Sequence, residues 1–203
     1  VIRQQALERM LIWTEAPSWA KAPSERVAER LASFRMSITA LNLFLQCPLG
    51  FYFEHILSAP QLPSPEGIYG AALHLALQRL FERMLTSRPK HFPPEQDLLL
   101  FFEQALGKNK GMLGEGPYSR YMEQGQAFLS LYYRQHLDAW HKDVSVEYTV
   151  RQVELDGIPI TGTIDRIEYH KKLTVRLVDY KTGSHDPARV SRPSAKHPYG
   201  GTY

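Results

Sequence analysis

From Val144 the chain alternates, with Val144, Val146, Tyr148 and Val150 on one side and Ser145, Glu147, Thr149 and Arg151 on the other. An apolar period of two predicts a half-buried strand over 144–153. Asp156-Gly157 makes a tight turn into a second strand carrying Ile158, Ile160, Ile164 and Ile167. A polar turn at His170-Lys171-Lys172 follows, then Leu173, Val175, Leu177 and Val178, with Gly183 closing the run. The second and third runs predict a central antiparallel hairpin, with Asp179-Tyr180-Lys181 on its last strand.

Elsewhere the spacing is helical. Ile2, Leu7, Met10 and Leu11 predict a helix over 1–13, and Thr14 to Pro23 reads as a linker. Ser24 is a suitable cap for a helix to about Phe34, whose face Val27, Leu31, Phe34 is expected to dock on the main body. Residues 37–57 predict two short helices, the first capped by Thr39 and the second opened by Pro48, where a missing N–H costs nothing. Phe44, Phe51, Tyr52 and Phe53 read most simply as core, and Cys47 as a buried thiol. After a proline-bearing loop, a long helix starts at Gly67 and carries Gly70 and His74 one turn apart. Further helices are predicted over 95–106 and 118–140, joined by a glycine-rich connector over 107–117 that is expected to be mobile. The tail 184–203 shows no periodicity and carries Arg189, Arg192 and Lys196.

Composition narrows the class without choosing the function. The chain has 203 residues, 43% of them hydrophobic, enough for one sizeable core with a helical appendage. No apolar run approaches ~18 residues, so no membrane-spanning helix is expected, and the N-terminus has no secretion-signal pattern. A single cysteine excludes an internal disulfide and suits a reducing, cytoplasmic compartment. A net charge of +3 permits a nucleic-acid partner without requiring one. The chain begins at Val1 rather than Met, as a piece of something longer would.

The hairpin carries the candidate chemistry. A turn centred near Lys172 sets Asp165 across from Asp179, and opposed residues of an antiparallel pair have Cβ atoms about 5 Å apart. Two carboxylates that close repel unless a cation lies between them. A hard divalent ion with oxygen ligands answers that need. Lys181, on the same face as Asp179, could then hold or deprotonate an attacking water, or neutralise charge on a phosphate. The plainer reading is a solvated charged face in which Asp165 pairs with Arg166 or Lys181. Likewise, a lone His74 on a helix is more often structural than a ligand.

Four signals in order change that balance: Ser37-x-Thr39-x-Leu41 leading into Cys47-Pro48-x-x-Phe51-Tyr52, Gly70-x-x-x-His74, Gly162-x-x-Asp165-Arg166, and Asp179-Tyr180-Lys181-Thr-Gly183. Together they resemble the PD-(D/E)XK nuclease superfamily, specifically its RecB/AddB-type exonuclease domains. The resemblance implies an α/β fold with a restriction-endonuclease-like core, its helices packed around a small central sheet built on an antiparallel hairpin. Domain boundaries follow as an N-terminal helical extension over 1–35, a nuclease-like domain over 36–183 and an irregular basic tail over 184–203. The family core continues past the DxK strand with a further helix and strand, so the domain is expected to be incomplete at its C-terminal side and its activity in isolation is open.

By the same resemblance His74, Asp165, Asp179 and the Tyr180 backbone carbonyl match metal ligands, and Lys181 the catalytic lysine beside Asp179 and Asp165. Arg166, Glu147 and Gly162 take supporting positions, although a surface salt bridge is an equal reading for Glu147. The implied cofactor is Mg²⁺ or Mn²⁺, the imidazole favouring Mn²⁺. Cys47 matches the first ligand of an iron–sulfur cluster in some relatives, but one cysteine cannot build that cluster. The implied protein is a nucleoid-associated deoxyribonuclease acting on single-stranded DNA or duplex ends, joined to a helicase. The alternative is a non-catalytic DNA-binding or scaffold domain that keeps the nuclease fold.

Overall fold

The computed structural model describes residues 24–171 and 173–183. The expected helix over 1–13, the linker that follows it and the basic tail over 184–203 lie outside the described residues. The described residues form two compact units that part between Gln61 and Leu62, and the expected domain over 36–183 includes parts of both.

The first unit is helical. It contains α1 (Ser24–Ala32), α2 (Ile38–Gln46) and α3 (Pro48–Phe51), the last running on into a π-helical turn at Tyr52–Ile56. Ser37, not Thr39, caps α2. Its extended backbone brings Oγ to accept from the Ala40 N–H at 3.0 Å, whereas Thr39 already lies inside the first turn. Pro48 opens α3 as anticipated.

Cys47 joins the two helices, and its Sγ accepts from the Gly50 N–H at 3.3 Å. The thiol is exposed rather than buried, because the junction faces outward. The small core is Ala40, Phe51 and Ile56, with Val27, Phe34 and Leu43 against it. Phe34 and Phe44 each meet Phe51 edge-on at 5.4 Å, but Phe44 and Leu31 remain substantially exposed.

The second unit holds the main core. Ser64 caps α4 (Pro65–Thr86) by accepting from the Gly67 N–H at 3.0 Å. Then come α5 (Glu95–Gly107), α6 (Lys110–Leu113), α7 (Glu115–His136) and a 3₁₀ turn, Leu137–Ala139. The 107–117 segment is therefore not a bare connector. Leu113 is buried and pins α6, and Pro117 sits in the first turn of α7, where its missing N–H leaves no bond unmade.

On α4, Leu73, Ala76, Leu77, Leu80, Phe81 and Met84 are buried at helical spacing. They meet Leu98, Phe102 and Leu106 of α5 and Leu129 of α7. The α5–α7 approach depends on Gly125, where a Cβ would run into the Phe102 ring. Trp140 closes the core against Phe81, Phe92 and Tyr133.

Three antiparallel strands form one sheet in the order β1 (Val144–Leu155), β2 (Ile158–Tyr169), β3 (Val175–Val178). Asp156 and Gly157 join β1 to β2 with φ of +50° and +77°, the left-handed pair that a two-residue hairpin of this kind requires. The register shifts between Val150 and Val153, where β1 carries a bulge with Gln152 at φ +57°.

β3 pairs with β2 only from Val175↔Tyr169 to Val178↔Arg166. Asp179-Tyr180-Lys181 thus lies just beyond the strand, not on it. The ladder ends because the next backbone donor, the Tyr180 N–H, is taken by the Asp165 side chain at 2.6 Å. The result is the mixed α/β fold anticipated from sequence, helices set with a small antiparallel sheet. No helix among the described residues is long and apolar enough to cross a membrane.

Candidate active site

Three elements of the second unit meet at Asp165. Strand β2 supplies the carboxylate, α4 supplies His74, and the segment after β3 supplies Tyr180. His74 Nδ1 lies 3.5 Å from Asp165 Oδ1, while Oδ2 accepts from the Tyr180 N–H at 2.6 Å. One carboxylate oxygen is thereby fixed by backbone and the other faces an imidazole. The Asp165 side chain is only 11% exposed, which keeps this geometry largely out of bulk solvent. The His74 and Tyr180 rings meet edge-to-face at 5.7 Å.

A buried polar chain runs behind the carboxylate. Arg166 donates from Nη1 to the Tyr180 hydroxyl at 2.6 Å and from Nη2 to Glu168 Oε1 at 2.9 Å. Its guanidinium stacks over the Phe81 ring at 4.3 Å. Arg166 and Glu168 are both buried, so Arg166 depends on Glu168, whose other oxygen also lies 3.9 Å from Arg176 Nη1. Burial pushes the Tyr180 phenol far above its ordinary value, against the opposing pull of Arg166, and holds it neutral. Arg166 Nε is buried without a partner among the described residues.

Glu147 lies at the cross-strand position of Asp165, between the pairs Val146↔Arg166 and Tyr148↔Ile164, with φ +49°. Its carboxyl is pushed up first by burial, then by the negative charge of Asp165, with Glu82 adding and His74 opposing. The charges of Glu147 and Asp165 thus act on each other, and a divalent cation suits the space beside two such carboxyls.

Asp179 is arranged differently. Its Oδ2 lies 2.8 Å from Lys181 Nζ, and both side chains are about half exposed at 55% and 52%. The ion pair of the plainer sequence reading thus exists, but between Asp179 and Lys181 rather than at Asp165. Extending the β2–β3 register by one position would place Asp165 and Asp179 opposite each other.

Among the described residues, no group of three or more His, Cys, Asp or Glu side chains is arranged to hold a metal ion. The imidazole and carboxylate of His74 and Asp165 fit two ligands of such an ion by chemistry and proximity, and Asp179 as placed is held by Lys181. Gly162 pairs with Val150 in the sheet and has open space where a Cβ would stand, so packing gives no reason for glycine there.

Sequence reasoning missed Glu168 and the phenol of Tyr180. The available signal was Arg166-x-Glu168, two charges on one face of a strand bearing Ile164 and Ile167. That pairing also needs Phe81 of α4 beneath it, and strand spacing alone does not bring Phe81 there.

The sequence matches the PD-(D/E)XK nuclease superfamily over residues 35–198, most of the chain, and the protein belongs to that superfamily. Neither the curated proteins nor the solved structures compared with it gave a match. Membership implies nuclease activity on DNA in general, and nucleases of this superfamily typically use divalent metal ions.

Proposed function

We propose that the chain is the nuclease domain of a RecB/AddB-type protein, a Mg²⁺- or Mn²⁺-dependent exonuclease that works beside a helicase in DNA repair and recombination. The observation that carries the reading is the approach of His74 to Asp165, 3.5 Å apart, from a helix and a strand far apart in sequence. A divalent ion, when bound, lowers the pKa of its water and offsets charge on the scissile phosphate. His74 and Asp165 would hold it, with Asp179 and the Tyr180 carbonyl as the further ligands. The Tyr180 N–H keeps Asp165 from rotating. Lys181, leaving Asp179 for substrate, would orient the attacking water or neutralise charge developing on the phosphate.

The test is cleavage of end-labelled single- and double-stranded DNA with Mg²⁺ or Mn²⁺, comparing the protein with Lys181→Ala. Release of terminal nucleotides by the parent, at least about 100-fold slower in the variant, supports the reading. Equal rates in the two defeat it.

One observation favours a second reading, a DNA-binding scaffold that keeps the nuclease fold. The Asp179–Lys181 ion pair satisfies the DxK charges without a metal. A scaffold would bind DNA with the same affinity in EDTA as in Mn²⁺, and would cut in neither.

A further inference from the structure

Of the two glycines on α4, Gly67 meets only Ser64 Oγ, the helix's own cap, at 3.2 Å. Gly70 is different. It is buried, and a Cβ built on it would lie 2.8 Å from Thr182 Oγ1 and 3.8 Å from Thr182 Cβ. His74, four residues on and so on the same face, touches the Tyr180 ring. One helix face therefore meets the segment beyond β3 on both sides of Lys181. The spacings agree, since four residues of helix rise about 6 Å and two residues of chain reach at most about 7 Å.

We propose that Gly70 is a positioning residue. Its missing side chain lets Thr182 seat against α4, and this contact, with His74 against Tyr180, sets the backbone from which Lys181 projects. The proposal rests on the nuclease reading for its consequence in catalysis, but not for the contact itself. A methyl group at position 70 conflicts with Thr182 Oγ1, which must turn or carry its backbone away, and Lys181 is the covalent neighbour that such a backbone shift moves. Removing Oγ1 relieves the conflict, because the Cβ contact at 3.8 Å is ordinary packing.

The experiment compares Gly70→Ala, Thr182→Ala and the double variant of the full chain by backbone amide spectra and by DNA cleavage. Gly70→Ala should shift the Tyr180 and Lys181 amide resonances. It should lower kcat about tenfold or more while changing DNA Kd less than about twofold. In the double variant those resonances should match those of Thr182→Ala alone, and kcat should come to within about threefold of that variant.

Unmoved resonances in Gly70→Ala, or a displacement that Thr182→Ala does not reverse, would overturn the proposal. If Gly70→Ala fails to fold, a folded double variant whose Tyr180 and Lys181 resonances match those of Thr182→Ala supports the contact, and an unfolded one rejects it. Should the parent cut no DNA, the nuclease reading fails, while the amide arm still decides whether Gly70 positions Lys181.

Discussion

Asp165 and Tyr180 hold each other through backbone and side chain at once. The Tyr180 N–H closes on Asp165 Oδ2 at 2.6 Å, and the Tyr180 hydroxyl receives Arg166, the residue that follows Asp165. The carboxylate and the guanidinium leave β2 in succession, yet both end on one tyrosine. Tyr180→Phe keeps the ring and the N–H but removes the hydroxyl acceptor of a buried cation. It should cost about 1–3 kcal/mol in chemical denaturation. A wild-type midpoint and slope would show that the hydroxyl contributes nothing.

Glu168 carries more weight. Its removal leaves Arg166 buried without a carboxylate, facing the neutral Tyr180 hydroxyl and the Phe81 ring. Glu168→Ala should destabilise by roughly 3–5 kcal/mol, more than Tyr180→Phe. Replacing Arg166 and Glu168 together with apolar residues of similar volume should recover part of that loss. Urea titration of the three variants checks both the order and the recovery.

Gly125 and Gly116 make a matched pair on α7. A Cβ at Gly125 would enter the Phe102 ring, whereas one at Gly116 meets nothing within 4 Å. Gly125→Ala should therefore cost about 1–3 kcal/mol by overpacking, although alanine favours helix. Gly116→Ala should be neutral or slightly stabilising. Thermal melts of the two variants give the contrast directly.

A pH dependence follows from Glu95 at the start of α5. Arg134 first, then Ser130, hold its carboxyl below the ordinary value, the Arg134 contacts being 2.9 Å. A lowered folded value means that the stabilisation is fully present above the unfolded value. It is lost as pH falls through the folded one. Glu95→Gln should therefore reduce Tm at neutral pH and leave a smaller drop of Tm on acidification than the parent shows. Parallel curves for the two proteins would remove Glu95 from the acid response.

Much of this architecture is readable before any coordinates. The period of α4 and α5, the Asp156-Gly157 turn and the alternation of β1 each express local preference and burial together, so pattern and fold agree. The misses came where a neighbouring residue competed for the same role. Ser37 took the cap from Thr39 because the helix begins one residue after Ser37. The glycines over 107–117 suggested a bare connector, but α6 forms there and Leu113 is buried.

At the candidate site, spacing alone favoured the plainer readings of His74 and Asp165, and the family resemblance was what set the two together. The Asp179–Lys181 pair, the end of β3 before Asp179 and the Glu168–Arg166 pair depend on which donor reaches which acceptor. No spacing encodes that choice.

The central claim is that His74 and Asp165 share a divalent ion. Calorimetric titration with Mn²⁺ of the parent, His74→Ala and Asp165→Asn tests it most directly, with each variant's fold checked by circular dichroism. One Mn²⁺ site in the parent, lost in both folded variants, is the predicted result. A parent without a site, or variants that bind as the parent does, would contradict it.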